Sequence, residues 1–151
     1  MFDRFVVVDW SANSTPKRGR DSIWIAAHDA DGSTLWNPAT RHEAEKVMAA
    51  AITDHPDART LIGVDFSLGY PAGTAAALGL SGPPWTQTVQ LLTAEIVDSD
   101  TNRNNRFDVA SRWNERISSG PGPFWGCPPH AVTPTLTSTK PVHGAWPSEL
   151  R

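Results

Sequence analysis

The chain has 151 residues, 39% of them hydrophobic, which suits one compact domain with a single core. Its net charge of -3 lacks the strongly basic balance of proteins that coat nucleic acid, so it favours small or transient anionic partners. The single cysteine, Cys127, excludes an intramolecular disulfide and a multi-cysteine zinc site, and it indicates a reducing compartment. The start "MFDRFVVVDW" fits neither a signal peptide nor a membrane span, so we expect a cytoplasmic protein.

The first third of the chain predicts an antiparallel meander. Residues 4–9 predict a strand that ends on Asp9, because Phe5, Val6, Val7 and Val8 form a continuous apolar run, as expected for a strand covered on both faces. After a polar loop, "SIWIAAH" and "STLWN" predict two more strands, because the turn sequence "DADG" lies between them.

A helix and a fourth strand follow. The segment "TRHEAEKVMAAAI" predicts a helix with Thr40 as its N-cap and Glu43 completing a capping box. The segment "TLIGVDF" predicts a strand that is again continuous in aliphatic residues and again closes on an acid, Asp65. The two acids therefore occupy equivalent places at the ends of the first and fourth strands.

The rest of the chain predicts two helices and a proline-rich segment. The helices are expected at "PPWTQTVQLLTAEIV" and "RFDVASRWNERI", where apolar residues recur with helical spacing. Residues 118–151 show no period of either kind, so we predict an α/β domain over residues 1–117 followed by extended coil. The composition of this last segment raises two further expectations: the chain is a piece cut from a longer protein, and the segment mediates oligomer formation.

Asp9 and Asp65 are the leading candidates for chemistry. In open α/β sheets, ligands gather outside the carboxyl ends of the strands. Two short, hard carboxylates at that edge suit Mg²⁺ or Mn²⁺, which keep several waters and leave positions for phosphate oxygens. The structural alternative for Asp9 is a strand-end acid that accepts hydrogen bonds from the backbone of the next turn.

The strand order, with "VVVDWSA" and "LIGVDFSLGYPAG" closing the first and fourth strands, resembles the ribonuclease-H-like superfamily and its uncharacterised group of predicted bacterial nucleases. The segments "DWSA…TPK…DSIW" and "NNRF…GPGPFWG" are also similar to alphaproteobacterial proteins loosely associated with molybdopterin or cobalamin biosynthesis. This resemblance implies a ribonuclease-H-like mixed sheet in which Asp9 and Asp65 match the two strand-end metal ligands. The superfamily adds a glutamate from the helix before the fourth strand, which Glu43 or Glu45 would supply. It also takes a late carboxylate from a C-terminal helix, and no residue of this chain is assigned to that role.

Four other residues are candidates for substrate binding. Ser11 and Lys17 lie in the hydroxyl-rich and basic loop after Asp9, where the alternative is an ordinary solvated loop. Asn105 and Arg106 lie in "NRNNRF", where arginine would fork onto phosphate oxygens and asparagine would offer an amide. The alternative for this motif is a polar segment that starts a helix.

Three functions stay open at this stage. Metal-dependent phosphodiester hydrolysis is favoured, with a phosphate-containing small molecule or a short nucleic acid as the partner. An ATP-dependent phosphotransferase of the actin and sugar-kinase type is the alternative, because "DWSANSTPK" resembles the phosphate-binding turn of that fold. The third is a non-catalytic module in molybdopterin or cobalamin biosynthesis.

Overall fold

The computed structural model describes residues 1–142 and residue 150, and it shows an α/β protein with a four-stranded mixed sheet. The elements in chain order are β1 (Arg4–Asp9), β2 (Trp24–Asp29), β3 (Gly32–Trp36), α1 (Arg41–Thr53), β4 (Thr60–Val64), α2 (Thr74–Ala77), α3 (Pro84–Glu95), α4 (Arg106–Ile117) and a 3-10 turn (Pro129–Ala131). No helix among the described residues has both the length and the apolar character needed to cross a membrane. The last part of the predicted C-terminal segment, residues 143–149 and 151, lies outside the described residues.

The sheet has the strand order β3-β2-β1-β4. β2 pairs antiparallel with both β1 and β3, which confirms the predicted meander. β4 pairs parallel with β1, as expected for a strand that returns after a helix. The predicted mixed sheet is therefore confirmed.

The prediction that β1 is buried on both faces is wrong. Val6 and Val8 are 1% exposed, whereas Phe5 and Val7, which point to the other face, are 43% and 60% exposed. Helix α1 covers the first face, where its buried alanines pack in the core cluster with Val6 and Val8. A continuous apolar run places apolar side chains on both faces of a strand. It therefore does not show whether one face or both faces are covered by other elements.

Helix α1 begins as predicted. The backbone N–H of Glu43 donates to the Thr40 hydroxyl at 3.1 Å, so Thr40 is the N-cap. The Glu43 carboxylate reaches back one residue further than in a standard capping box and accepts from the N–H of Ala39 at 2.8 Å. Two N–H groups at the start of the helix are thereby satisfied.

The described residues form two compact units. The first contains residues 1–67 and 98–103, and its core lies between the sheet and α1. The second contains residues 68–97 and the described residues from 104 onward, and its core is built on Leu78, Val109 and Trp113.

The proline-rich segment packs closely within the second unit. Residues 118–142 contain no α-helix or strand, but Cys127 and Leu136 are buried. Phe124 packs edge-on to Trp113 of α4 with 5.7 Å between the ring centroids. Tyr70 joins the same two rings, and burial raises the pKa of its phenol above the ordinary value.

Asn114 of α4 holds this segment in place. Its side chain is fully buried, and its amide nitrogen donates to the carbonyls of Phe124 at 2.8 Å and Thr135 at 2.6 Å. Its amide oxygen accepts from the N–H of Phe124 at 2.8 Å. The Asn114 side chain therefore provides hydrogen-bond partners for backbone groups that have no helix or strand partner in this irregular segment.

We expect Asn114→Ala to destabilise the second unit by about 3 kcal/mol, because three backbone groups lose their buried partner and each costs roughly 1 kcal/mol. Chemical denaturation measures this loss. The control is Glu115→Ala, which changes the exposed neighbouring residue and should leave the midpoint nearly unchanged. Equal midpoints for the two variants would contradict this account of the segment.

Candidate functional site

The parallel pairing of β1 and β4 brings the two strand-end acids next to each other. Val8 pairs with Val64, and each is followed by an acid, so Asp9 and Asp65 are the next residues in register. The backbones of adjacent strands are about 4.8 Å apart, a spacing at which side chains at neighbouring positions are close enough to bind one ion. Both residues are exposed, and Asp9 follows the alternation of the sheet face that carries Phe5 and Val7.

The two acids have different local roles. One oxygen of Asp65 accepts a hydrogen bond from the backbone N–H of Trp10 at 2.8 Å. This is the turn-capping role that the structural alternative gave to Asp9. Asp9 pairs with Trp24 through its backbone, but within the described residues its carboxylate accepts no hydrogen bond and forms no ion pair.

The electrostatics of the pair favour a bound cation. Two like charges at neighbouring positions of adjacent strands destabilise a sheet. The basic residues of the loop after β1 pair with other acids: Lys17 lies 3.7 Å from Asp21, and Arg18 lies 3.4 Å from Glu43. Among the described residues, no lysine or arginine forms an ion pair with Asp9 or Asp65. A divalent cation would compensate both charges.

The donor set fits Mg²⁺ or Mn²⁺. Asp9 offers two carboxylate oxygens, and Asp65 offers the one that does not accept from Trp10. These are hard oxygen ligands at an exposed strand edge, where water can complete the coordination that Mg²⁺ prefers. Over residues 1–142 and 150, no group of three or more His, Cys, Asp or Glu side chains is arranged to hold a metal. The candidate is therefore a two-carboxylate site.

Glu43, the predicted third carboxylate, lies in the first turn of α1. Its Oε2 atom accepts from Ala39 and lies 3.4 Å from the guanidinium of Arg18. These contacts explain Glu43 as a residue that caps the helix and orders the preceding loop. Its catalytic role stays a prediction.

Ser11 and Lys17 lie in the loop after β1, in the same unit as the acids. The Ser11 hydroxyl accepts from the N–H of Asn13 at 3.3 Å and donates to the carbonyl of Asp21 at 3.4 Å. The backbone N–H of Lys17 donates to the carbonyl of Ala39 at 2.9 Å. The loop therefore folds on itself and onto the entry to α1, while binding of phosphate by these two side chains stays a prediction.

Asn105 and Arg106 lie in the second unit. The Asn105 side chain accepts from the N–H of Val97 at 2.9 Å and donates to the carbonyl of Glu95 at 2.8 Å, so it links α3 to the start of α4. The Arg106 guanidinium donates to the side chain of Asn104 at 2.9 Å and lies 4.5 Å from the Phe107 ring centroid. Asn105 is the N-cap residue of α4, although its side chain makes no capping hydrogen bond, and substrate binding by the two residues stays a prediction.

Sequence reasoning missed a partly buried ion pair beside the loop after β1. Arg41 makes two hydrogen bonds of 2.5 Å to the Asp98 carboxylate and donates to the carbonyls of Asn13 and Asn102. Asn102 is 3% exposed, and its side chain contacts the backbone of Thr15, Ala39 and Arg41. These hydrogen bonds hold residues 98–103 against the loop after β1.

Two rings follow the acids in sequence. Trp10 and Phe66 pack edge-on with 5.5 Å between their centroids, and Trp10 also contacts the sheet core. Phe66 is 39% exposed. The residues that follow Asp9 and Asp65 are thus connected by an aromatic contact, in addition to the hydrogen bond from the N–H of Trp10 to Asp65.

Comparison of the chain with protein-family models, with curated proteins and with solved structures finds no match.

Proposed function

We propose that the protein is a divalent-metal-dependent phosphodiester hydrolase with a ribonuclease-H-like fold. One observation carries the proposal: neighbouring parallel strands end in two carboxylates that no described cation compensates. The strand order and the parallel return of β4 support the fold assignment. Because folds host many activities, the function is argued from the acid pair.

The chain's own residues have defined tasks in this proposal. Asp9 and Asp65 hold the ion, and the N–H of Trp10 fixes one oxygen of Asp65, which leaves the other for the ion. A bound Mg²⁺ or Mn²⁺ supplies activation of a water and neutralisation of charge at the phosphorus. The exposed position of both acids leaves room for the phosphate ester to approach.

The charge distribution favours a small substrate. The chain carries a net charge of -3, and the loop cations beside the acids are already paired with carboxylates. Long duplexes draw much of their affinity from neutralised phosphates, which this surface supplies poorly. A phosphate-containing small molecule or a short nucleic acid fits better.

We expect Mg²⁺ or Mn²⁺ to raise the thermal unfolding temperature of the protein. An ion at one hundred times its dissociation constant adds about 2.7 kcal/mol, and each kcal/mol shifts the unfolding temperature of a chain this size by roughly 2–4 °C. Circular dichroism measures the shift, with NaCl at matched ionic strength as the control. An unchanged transition in millimolar Mn²⁺ would remove the metal site from the proposal.

Hydrolysis of bis(p-nitrophenyl) phosphate in the presence and absence of Mn²⁺ tests the reaction itself. Cation-dependent release of p-nitrophenol supports the hydrolase. Stabilisation by ATP without hydrolysis would instead favour the phosphotransferase, for which the hydroxyl-rich loop directly after Asp9 is the supporting feature. No response to cations or nucleotides would favour the non-catalytic module in cofactor biosynthesis.

A further inference from the structure

A second candidate site lies at the opposite end of β1 from the acid pair. A cleft of about 650 Å³ opens between the β2–β3 hairpin and the C-terminal half of α1. Arg4, the first residue of β1, lines it, whereas Asp9 is the last residue of that strand. Five residues of extended chain separate the two by roughly 17 Å, at about 3.3 Å per residue. The cleft is therefore separate from the acid pair.

Arg4 is the unusual residue of this cleft. It is 6% exposed, yet within the described residues only the Nη1 atom of its guanidinium makes a hydrogen bond, to the carbonyl of Ala51 at 2.9 Å. Its Nε atom is buried without a hydrogen-bond partner and lies 3.5 Å from the Asp29 carboxylate, an ion-pair distance. A guanidinium has five N–H donors, so the Nη2 donors of Arg4 are also unused within the described residues. Such groups usually meet an acceptor.

The other walls of the cleft supply three further kinds of contact. Lys46 of α1 adds a second cation, and Asp31 and Asp54 add carboxylates from the hairpin turn and from the end of α1. Trp36 and Val47 together supply an apolar part of the lining. A ligand that matches this lining carries one negative group, one positive group and an apolar body.

We propose that the cleft binds a small zwitterion with an apolar side chain, that is, an amino acid or a short peptide. Its carboxylate would accept from Arg4 and Lys46, because a carboxylate matches the planar donor arrangement of a guanidinium. Its ammonium group would lie between Asp31 and Asp54. Its side chain would pack on Trp36, where a ring gains from aromatic contact.

Titration of the ¹⁵N-labelled full chain with L-phenylalanine, followed by NMR, tests the proposal. The expected result is saturable shifts of the Trp36 indole N–H and of backbone amides around the cleft. Two matched probes each lack one charge: 3-phenylpropionate lacks the ammonium group and 2-phenylethylamine lacks the carboxylate. Each should bind at least tenfold more weakly. Absence of shifts at 10 mM L-phenylalanine, equal binding of all three probes, or tighter binding of inorganic phosphate would overturn the proposal.

Variants at the rim of the cleft provide the second arm, since Arg4 also supports the end of α1 and its removal affects folding. Asp31→Asn and Lys46→Gln change exposed residues and remove one charge each. Each should weaken L-phenylalanine at least threefold, whereas Glu45→Gln, an exposed helix residue outside the cleft, should leave the affinity unchanged. Equal affinities for all three variants would show that the charges of Asp31 and Lys46 do not contribute to ligand binding.

Discussion

Asp9→Asn and Asp65→Asn should each lower metal-dependent phosphodiester hydrolysis by on the order of 10²–10³, the usual cost of removing one fixed electrostatic group from a catalytic site. An amide keeps the shape of the carboxylate but binds a divalent cation poorly. Asparagine at position 65 still offers an oxygen to the N–H of Trp10, so the strand ends stay paired. Initial rates at saturating Mn²⁺ measure the loss.

The same two variants should fold at least as well as the parent protein when no divalent cation is present. Each removes one of two neighbouring like charges, and relief of such a cross-strand pair is worth roughly 0.2–1 kcal/mol. Asp57→Asn, an exposed acid in the turn before β4, is the matched control and should change neither rate nor stability. Full activity in Asp9→Asn would refute the catalytic proposal.

Glu43→Gln decides whether the predicted third carboxylate takes part. Glutamine keeps an oxygen for the N–H of Ala39, so the start of α1 stays capped while the negative charge is lost. A rate equal to that of the parent protein assigns Glu43 to the cap alone. A loss like that of Asp9→Asn adds it to the site.

The largest effect on stability should come from Arg41→Ala. The Arg41 side chain is 10% exposed and the Asp98 side chain 29%, so the pair is partly buried, and its loss should cost about 3 kcal/mol, the lower end for removal of one partner of a buried ion pair. The carbonyls of Asn13 and Asn102 lose their donor as well. Denaturant unfolding followed by circular dichroism measures the loss.

Arg18→Ala is the control for that variant. Arg18 also pairs with an acid, Glu43, but its side chain is 67% exposed, and exposed pairs contribute about 0.2–1 kcal/mol. The two variants each remove one arginine from one ion pair of the first unit. Equal losses would mean that burial of the Arg41 pair has no effect on stability.

Local patterns were enough to predict most of the secondary structure. The predicted helix "RFDVASRWNERI" corresponds to α4, and the predicted cap at Thr40 is present. The meander followed from a turn sequence, and the parallel return of β4 followed from the helix before it. These features depend on residues close together in the chain, where periodicity and capping act directly.

Features that depend on distant residues were not predictable in this way. Arg41 and Asp98 are 57 positions apart, and no local sequence pattern around either residue predicts that they pair. Helix α2 has four residues, too few to show a period. Asn102 did carry a readable signal, because asparagine tolerates the left-handed backbone conformation it adopts, with a φ of 66°.

Because the backbone N–H of Trp10 donates a hydrogen bond to Asp65 and not to Asp9, the two acidic positions should differ in the substitutions that they tolerate. Position 65 needs an oxygen on a short side chain to complete the strand pairing, so it should accept asparagine and reject apolar residues even where activity is not selected. The carboxylate at position 9 has no such contact among the described residues, so under the proposed function metal binding is the main constraint on substitutions there. A library that randomises both positions, scored separately for folding and for turnover, would therefore separate architectural from catalytic constraint.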